Sequence, residues 1–241
     1  MVIEKPTGPG DPRSAGAERE LLRTVRLMAE VKVVRRWPVR EGGSPAPARP
    51  RPRQRVLAIA ASTGGPAVLA EMLRALPPAL GCPILLVQHI APGFGEAFVQ
   101  WLGGATRRPV KLAEHGEHAV QGTVHVAPGG KQMGIARSGA IVLTARGEVN
   151  GFCPSASHLF TSVAEAYGAG ATGVVLTGMG RDGADGLLRL REAGGLTIAQ
   201  DEPSSVVFGM PGAAVALGAA ELVLPPPRIV ATLRSLVGGA R

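Results

Sequence analysis

Aromatic residues and cysteines are scarce in this chain of 241 residues. Aromatic side chains make up 3% of the sequence, and the only cysteines are Cys82 and Cys153. Two cysteines are too few for a disulfide framework or a cysteine-ligated zinc site, so a reducing compartment is the default expectation. The sequence is instead rich in Ala, Gly, Pro, Val and Leu, a usage typical of a globular α/β protein with long aliphatic segments.

The sequence also lacks long apolar segments. Its N-terminus has no apolar core of the kind that signal peptides carry, and no apolar run is long enough to span a bilayer. We therefore expect a cytoplasmic protein that is not embedded in a membrane.

Positive charge exceeds negative charge, but unevenly along the chain. The formal net charge is +8, and residues 1–55 hold thirteen of the 26 basic residues but only six of the 18 acidic ones. Residues 56–241 are therefore nearly neutral. Because a nucleic-acid groove needs basic residues on the folded surface, we expect no nucleic-acid partner. A basic tail can contact an acidic helix or anionic lipid, although a solvated linker is the simpler interpretation.

The pattern divides the chain into a tail and one domain. Residues 1–54 form a basic, Pro-rich tail with a short predicted helix at 18–36, and residues 55–238 form the folded part. In the folded part aliphatic strands alternate with helices, the strands being VLAIAA (56–61), PILLVQHI (83–90), TGVVLT (172–177) and LTIAQD (196–201). This alternation predicts a doubly wound, mostly parallel sheet with helices on both faces, a single α/β domain.

Shorter strands are expected between these long ones. They are VKLAE, TVHVAP and AIVLTA, the last two as a hairpin around Gly139. Ser155 is expected to cap the helix that follows it.

Three reactive side chains follow predicted strands. Ser62 comes after VLAIAA, His89 closes PILLVQH, and Asp182 lies just beyond VVLTGMG. Ligand sites of open α/β sheets lie at the carboxyl ends of the strands, so folding can bring the three together. A serine hydroxyl becomes nucleophilic when a histidine accepts its proton and an aspartate orients that histidine. Taken singly, each residue also has a simpler role, as a helix cap, a core histidine or a turn residue.

A glycine-rich turn supports a different class of function. Residues 178–183, GMGRDG, match the dinucleotide pattern G-x-G-x-x-G between a strand and a helix, and Asp201 follows at a suitable distance. An NAD-dependent oxidoreductase is therefore an alternative. It leaves Ser62 and His89 without a role, and it leaves little room for a separate substrate domain.

Metal binding has less support in the sequence. His115 and His118 lie in EHGEH between predicted elements, without a matching set of ligands elsewhere. We expect a surface loop there, and neither a metal nor an organic cofactor.

Several longer motifs carry a family resemblance. They are IAASTGGP, LLVQHIAPGF, VHVAPGGKQM, VVLTGMGRDGADGL, AGGLTIAQDE and SSVVFGMP, in this order over residues 56–225. In these motifs the chain resembles the catalytic domain of the CheB family, the chemotaxis protein-glutamate methylesterases.

The resemblance implies both an activity and a site. It implies a Ser-His-Asp triad of Ser62, His89 and Asp182, with Thr63 and Met179 also at the site and the Met179 N–H in the oxyanion hole. The implied reaction is hydrolysis of glutamate methyl esters on the cytoplasmic helices of methyl-accepting chemoreceptors, with deamidation of receptor glutamines as a related activity.

The sequence departs from the family pattern in two places. No phospho-receiver domain is expected in residues 1–54, so activity is expected without a phosphodonor. Cys153 and Ser157 stand in FCPSAS where the family usually has Arg and Asp. A weakly active receptor-binding module is therefore a further alternative.

Overall fold

The central feature of the computed structural model is a parallel sheet of seven strands. The structure describes residue 52 and residues 54–78, 80–91, 93–145 and 147–237. The helix expected at 18–36 lies outside these residues. In the sheet the strand order is β3-β4-β2-β1-β7-β8-β9, and every pairing between neighbours is parallel.

The elements alternate as the sequence predicts. The strands of the sheet are β1 (Val56–Ala61), β2 (Ile84–Gln88), β3 (Val110–Leu112), β4 (Val124–Val126), β7 (Ala171–Val175), β8 (Leu196–Gln200) and β9 (Leu222–Leu224). A separate hairpin contains β5 (Gln132–Ile135) and β6 (Ile141–Thr144). The helices are α1 (Gly65–Ala75), α2 (Gly95–Thr106), α3 (Ala156–Tyr167), α4 (Ala184–Glu192), α5 (Met210–Ala216) and α6 (Pro226–Val237), and a 3₁₀ turn spans Gly168–Gly170.

Both faces of the sheet are covered. All six residues of β1 are buried, because successive side chains of a strand point to opposite faces and each face carries helices. Ala58 and Ala60 belong to the core under α3, α4 and α5, whereas Leu57 and Ile59 belong to the core under α1, α2 and α6. The prediction of a doubly wound single α/β domain is confirmed.

The predicted hairpin around Gly139 pairs different strands from those expected. TVHVAP supplies β4 of the main sheet, parallel to β2, and the partner of β6 is β5. Gly139 does form the turn, with a positive φ of 90°. The sequence QMGI does not predict a strand, because Gly disfavours strands. In the structure all four residues of β5 are nevertheless buried by tertiary contacts.

Among the described residues, no helix is long and apolar enough to cross a bilayer. Just before β1 the Gln54 side chain is buried, and its Oε1 accepts a hydrogen bond from Thr172 Oγ1 at 2.8 Å.

A buried histidine on β4 makes stability depend on pH. His125 is 1% exposed, its Nε2 accepts a hydrogen bond from Val120 N–H, and its Nδ1 lies 3.1 Å from Glu117 Oε1. The other oxygen of this carboxylate, Oε2, accepts a hydrogen bond from Lys111 Nζ. Burial lowers the pKa of His125 below 6.5, although the hydrogen bond to Glu117 opposes this. A depressed histidine pKa gives stability that is present above the unfolded-state value of 6.5 and lost as the pH falls towards the folded-state value.

We expect the free energy of unfolding to decrease between pH 7 and 5, by at most about 1.4 kcal/mol per pH unit from this group. Urea titrations across this range measure the slope, and His125→Gln should flatten it. The control His118→Gln, at an exposed position, should leave it unchanged. Equal slopes in the wild type and His125→Gln would contradict the assignment to His125.

Candidate active site at the carboxyl edge of the sheet

The three central strands β2, β1 and β7 end at the same edge and bring the candidate residues together. The β1–β2 register pairs Ala61 with Gln88, and His89 N–H donates to Ala61 O at 2.9 Å. Ser62 and His89 are therefore neighbours across adjacent strands, at a spacing of about 4.8 Å between strands. The chain winds outwards from β1 in both directions, so this edge is also the topological switch point where α/β proteins bind ligands.

Asp182 reaches this edge from the loop after β7. Its Oδ2 lies 2.9 Å from Nε2 of His89. The carboxylate is buried, with 1% of the residue exposed, and the side chain of His89 is 12% exposed. Because Asp182 holds Nε2, Nδ1 is the imidazole atom left to exchange a proton with a nucleophile.

The backbone of Ser62 is fixed and its hydroxyl is free. Ser62 N–H donates to Thr177 O, and Ser62 O accepts from Gly65 N–H and from Gln88 Nε2. Within the part of the chain that the structure describes, the Ser62 hydroxyl makes no hydrogen bond, to His89 or to any other group. Hydrogen bonds between nucleophile and base are often long in unliganded enzymes and shorten when substrate binds.

Five hydrogen bonds converge on the Asp182 carboxylate. Besides His89, the donors are the N–H groups of Ala156 (2.7 Å), Ser157 (3.1 Å) and Gly183 (2.9 Å) and the Ser155 hydroxyl (2.8 Å). Burial alone would raise the pKa of Asp182, but the hydrogen bonds from His89, Ala156, Ser155 and Ser157 outweigh it and lower the pKa below 3.8. The carboxylate stays ionised, and it satisfies free N–H groups at the start of α3.

Two turns, after β1 and after β7, lie next to Ser62. Gly64 adopts the left-handed conformation, with φ of 81°, which turns the chain from β1 into α1. The turn after β7 lies against Ser62, since a Cβ on Gly178 would come within 2.7 Å of Ser62 Cβ. In the described residues the N–H groups of Thr63 and Met179 donate to no protein acceptor, so both remain available to a ligand.

The glycine-rich turn does not leave a dinucleotide site. The helix after it, α4, begins at Ala184, and the Gly183 N–H is already taken by Asp182 Oδ1 and Ser157 Oγ. A Cβ on Gly186, in the first turn of α4, would lie 2.3 Å from Ser157 O. The helix N-terminus that would receive a pyrophosphate is covered by α3. The NAD-dependent alternative therefore has no support in this geometry.

The EHGEH segment is part of the loop packing around the hairpin. His115 Nδ1 accepts a hydrogen bond from Leu143 N–H, and His118 forms a β-bridge with Ala140. The segment thus has a structural role near β6, as the expectation of a surface loop implies.

Sequence reasoning missed two groups that touch the candidate triad. Gln88, buried at the end of β2, donates from Nε2 to the carbonyl oxygens of both Ser62 and His89, each at 3.0 Å. The ring of Phe152 stacks on the His89 imidazole, with centroids 4.5 Å apart and planes inclined by 8°. A glutamine in an otherwise apolar buried strand was a usable signal for Gln88, but no local pattern points from residue 152 to residue 89.

The Ser155 hydroxyl has two partners. As the sequence predicts, its oxygen accepts from His158 N–H and caps α3, and it also donates to Asp182. The second contact joins two segments distant in the chain and could not be read from sequence spacing.

Comparison with known proteins identifies the family of the chain. Residues 57–233 match the family model described as CheB methylesterase. The chain is 49% identical over 231 residues to the protein-glutamate methylesterase/protein-glutamine glutaminase 3 of Anaeromyxobacter dehalogenans, covering 95% of this chain and 68% of that protein. It is 45% identical over 237 residues to the protein-glutamate methylesterase FrzG of Myxococcus xanthus, covering 98% of this chain and 70% of FrzG.

Solved structures give the same result. The catalytic domain of the Thermotoga maritima CheB methylesterase superposes with a TM-score of 0.73 at 36% identity, covering 76% of this chain and 99% of that domain. The chain belongs to the CheB methylesterase family.

Proposed function

We propose that this chain is a protein-glutamate methylesterase with Ser62 as nucleophile, His89 as general base and Asp182 as the acid that orients it. The observation that carries the proposal is the 2.9 Å contact of His89 Nε2 with the buried Asp182 carboxylate, beside the strand end that bears Ser62. Nε2–H then donates to Asp182, and unprotonated Nδ1 accepts the hydroxyl proton. A triad is defined by such geometry and not by chain order.

In the first half-reaction Ser62 Oγ attacks the ester carbonyl of a methylated glutamate while its proton passes to His89 Nδ1. The tetrahedral oxyanion is stabilised by the free N–H groups of Thr63 and Met179, each worth about 3–4 kcal/mol in comparable sites. The C–O bond to the methoxy group then breaks, methoxide takes the proton from the imidazolium, and methanol leaves an acyl-enzyme on Ser62.

In the second half-reaction water replaces methanol. His89 Nδ1 accepts a proton from the water as it attacks the acyl carbon, and the same proton returns to Ser62 Oγ when the acyl–oxygen bond breaks. The products are a glutamate side chain and the regenerated serine. Throughout, the ionised Asp182 stabilises the positive charge that forms on His89.

The same machinery accepts a glutamine side chain. In that case ammonia replaces methanol as the leaving group. The imidazolium of His89 donates its Nδ1 proton to the leaving nitrogen, as it does to methoxide in the ester reaction. The relative from Anaeromyxobacter dehalogenans, which is named as a glutaminase as well as a methylesterase, supports this second activity for the chain.

The proposed substrates are methylated glutamates on cytoplasmic helices of chemoreceptors, as the family resemblance implies. The competing proposal is a weakly active module that binds the receptor without turnover. Methanol release separates the two. Incubation of the protein with a methylated receptor fragment should release methanol, and Ser62→Ala should abolish the release while leaving the fold intact. A folded Ser62→Ala protein that released methanol at the wild-type rate would refute the triad.

Cys153 and Ser157, which stand where the family usually has Arg and Asp, give a specificity prediction. The Ser157 side chain is buried, and its hydroxyl accepts from the Gly183 N–H that also serves Asp182. A carboxylate in its place competes with Asp182 for that donor, so Ser157→Asp alone should lower kcat/KM on methylated receptor. Cys153→Arg with Ser157→Asp should restore it or exceed the wild type, because the guanidinium compensates the added charge and holds acidic or carbonyl groups of the substrate.

Kinetics on receptor and on a small activated ester, in a double-mutant cycle, measure this coupling. Any gain over the wild type should appear only with receptor, because a small ester has no helix to position. Unchanged receptor turnover in both single variants and in the double variant would show that the departures are neutral.

A further inference from the structure

The buried side-chain amide of Gln132 binds the loop that carries Phe152 and Ser155. Gln132, the first residue of β5, has no exposed surface. Its Nε2 donates to the carbonyl oxygens of Phe152 at 2.9 Å and Gly147 at 3.2 Å, and its Oε1 accepts from Ser155 N–H at 2.8 Å. One side chain of the hairpin thus fixes the loop 147–155 at three points.

Two arms lead from this amide to the imidazole. Gln132 binds the backbone carbonyl of Phe152, whose ring stacks on the face of His89 at 4.5 Å. Gln132 also binds the backbone N–H of Ser155, whose hydroxyl donates to Asp182 Oδ1. The other oxygen of this carboxylate, Oδ2, binds His89 Nε2. The face and one edge of the imidazole are therefore fixed by groups that share Gln132 as their anchor.

We infer that Gln132 is a positioning residue for His89. The histidine side chain has two rotatable bonds. A hydrogen bond at Nε2 alone therefore leaves the plane of the imidazole ring free to rotate about the contact with Asp182. The stacked Phe152 ring removes that freedom, so the two arms together fix the plane of the ring and with it the position of Nδ1. This inference rests on the proposed function, because it assigns the orientation of the proposed base.

The position of Gln132 separates this role from general stability. A misplacement of a reacting group by about 1 Å costs roughly 100-fold in rate, whereas the loss of a buried amide elsewhere affects folding alone. Gln54 supplies the comparison within the same chain. It is also a buried glutamine with hydrogen bonds from both ends of its amide, but it precedes β1 and lies at the opposite end of the strand from Ser62.

The experiment compares Gln132→Met with Gln54→Met, since methionine keeps the length of the side chain and removes its hydrogen bonds. In Gln132→Met the kcat for methanol release from a methylated receptor fragment should fall roughly 10- to 100-fold while KM changes less than about twofold. Gln54→Met should keep kcat within about twofold of the wild type. In ¹H NMR spectra the downfield signal of the His89 N–H bound to Asp182 should shift or broaden only in Gln132→Met.

A kcat within about twofold of the wild type in folded Gln132→Met overturns the inference. If that variant does not fold, Phe152→Leu decides the question: a loss of kcat of about fivefold or more supports the role, and an unchanged kcat overturns it. With both variants folded, a double-mutant cycle should show that their effects are not additive, because the two variants share the arm through Phe152. Full activity in Gln132→Met beside an inactive Ser62→Ala removes this inference alone, whereas an active Ser62→Ala removes the proposed triad.

Discussion

Replacement of Ser62 by alanine should lower turnover by about 10⁵- to 10⁶-fold, the range seen when the nucleophile of a triad is removed. The reason is that Ser62 is the proposed nucleophile of the acyl-enzyme step, so without its hydroxyl only oxyanion stabilisation and binding remain. Stability should change little, within about 0.5 kcal/mol, because the hydroxyl makes no hydrogen bond among the described residues. Methanol release and urea unfolding of the same preparation measure both quantities.

The control is Ser235→Ala, which removes an exposed hydroxyl from α6. It should match the wild type in turnover. His89→Ala should lose nearly as much activity as Ser62→Ala, and the double variant should be no worse than either, because the two residues act as a unit. Independent, multiplying losses would mean that His89 is not the base for Ser62.

Replacement of Asp182 by asparagine should impair both catalysis and folding. Turnover should fall by roughly 10⁴-fold, because the amide no longer favours the tautomer with its proton on Nε2 and cannot stabilise the imidazolium. The free energy of unfolding should fall by about 3 kcal/mol. The NH₂ group of asparagine cannot accept hydrogen bonds, so some of the buried N–H donors at the start of α3 that the carboxylate satisfies lose their acceptor. Methanol release and urea unfolding at pH 7 measure these losses.

The pH dependence of the Asp182→Asn effect follows from the lowered pKa of Asp182. A carboxylate with a depressed pKa contributes stability that is complete above its unfolded-state value, near 3.8, and is lost as the pH falls through the lower folded-state value. The stability difference between wild type and variant should therefore be constant from pH 7 to about 5 and shrink below pH 4.

Asp185→Asn is the matched control, since Asp185 is half exposed in the first turn of α4 and its ion pair among the described residues is the one with Arg181. It should change stability by less than about 1 kcal/mol and turnover hardly at all. A stability loss in Asp182→Asn no larger than in Asp185→Asn would contradict the role of Asp182 at the α3 N-terminus.

The sequence was informative where the fold depends on local pattern. The apolar runs that became β1, β2, β7 and β8 are uniformly buried, and their ends gave the places of Ser62 and His89. Parallel strands present their carboxyl ends at one edge, so proximity followed from strand order without any distance being known.

The contacts that refine the site were beyond the sequence because they are not local. Gln132 is bound to groups 15 to 23 residues away, and the ring on His89 belongs to Phe152. Which imidazole nitrogen faces Asp182 likewise depends on side-chain rotation, which residue spacing does not encode. The strand β5 escaped prediction for a related reason, since burial and pairing with β6 outweigh the weak strand preference of QMGI.

The placement of the candidate triad on β2, β1 and β7 has a consequence for how the protein fluctuates. These are the three innermost strands of the sheet, whereas β3 and β9 are its edges. In native-state opening, edge elements detach at low free-energy cost while central strands exchange their amide hydrogens only on global unfolding. The proposed nucleophile and base directly follow two of these central strands. We therefore expect the amides beside them to be among the slowest to exchange, and fraying at either edge of the sheet to leave their mutual geometry undisturbed.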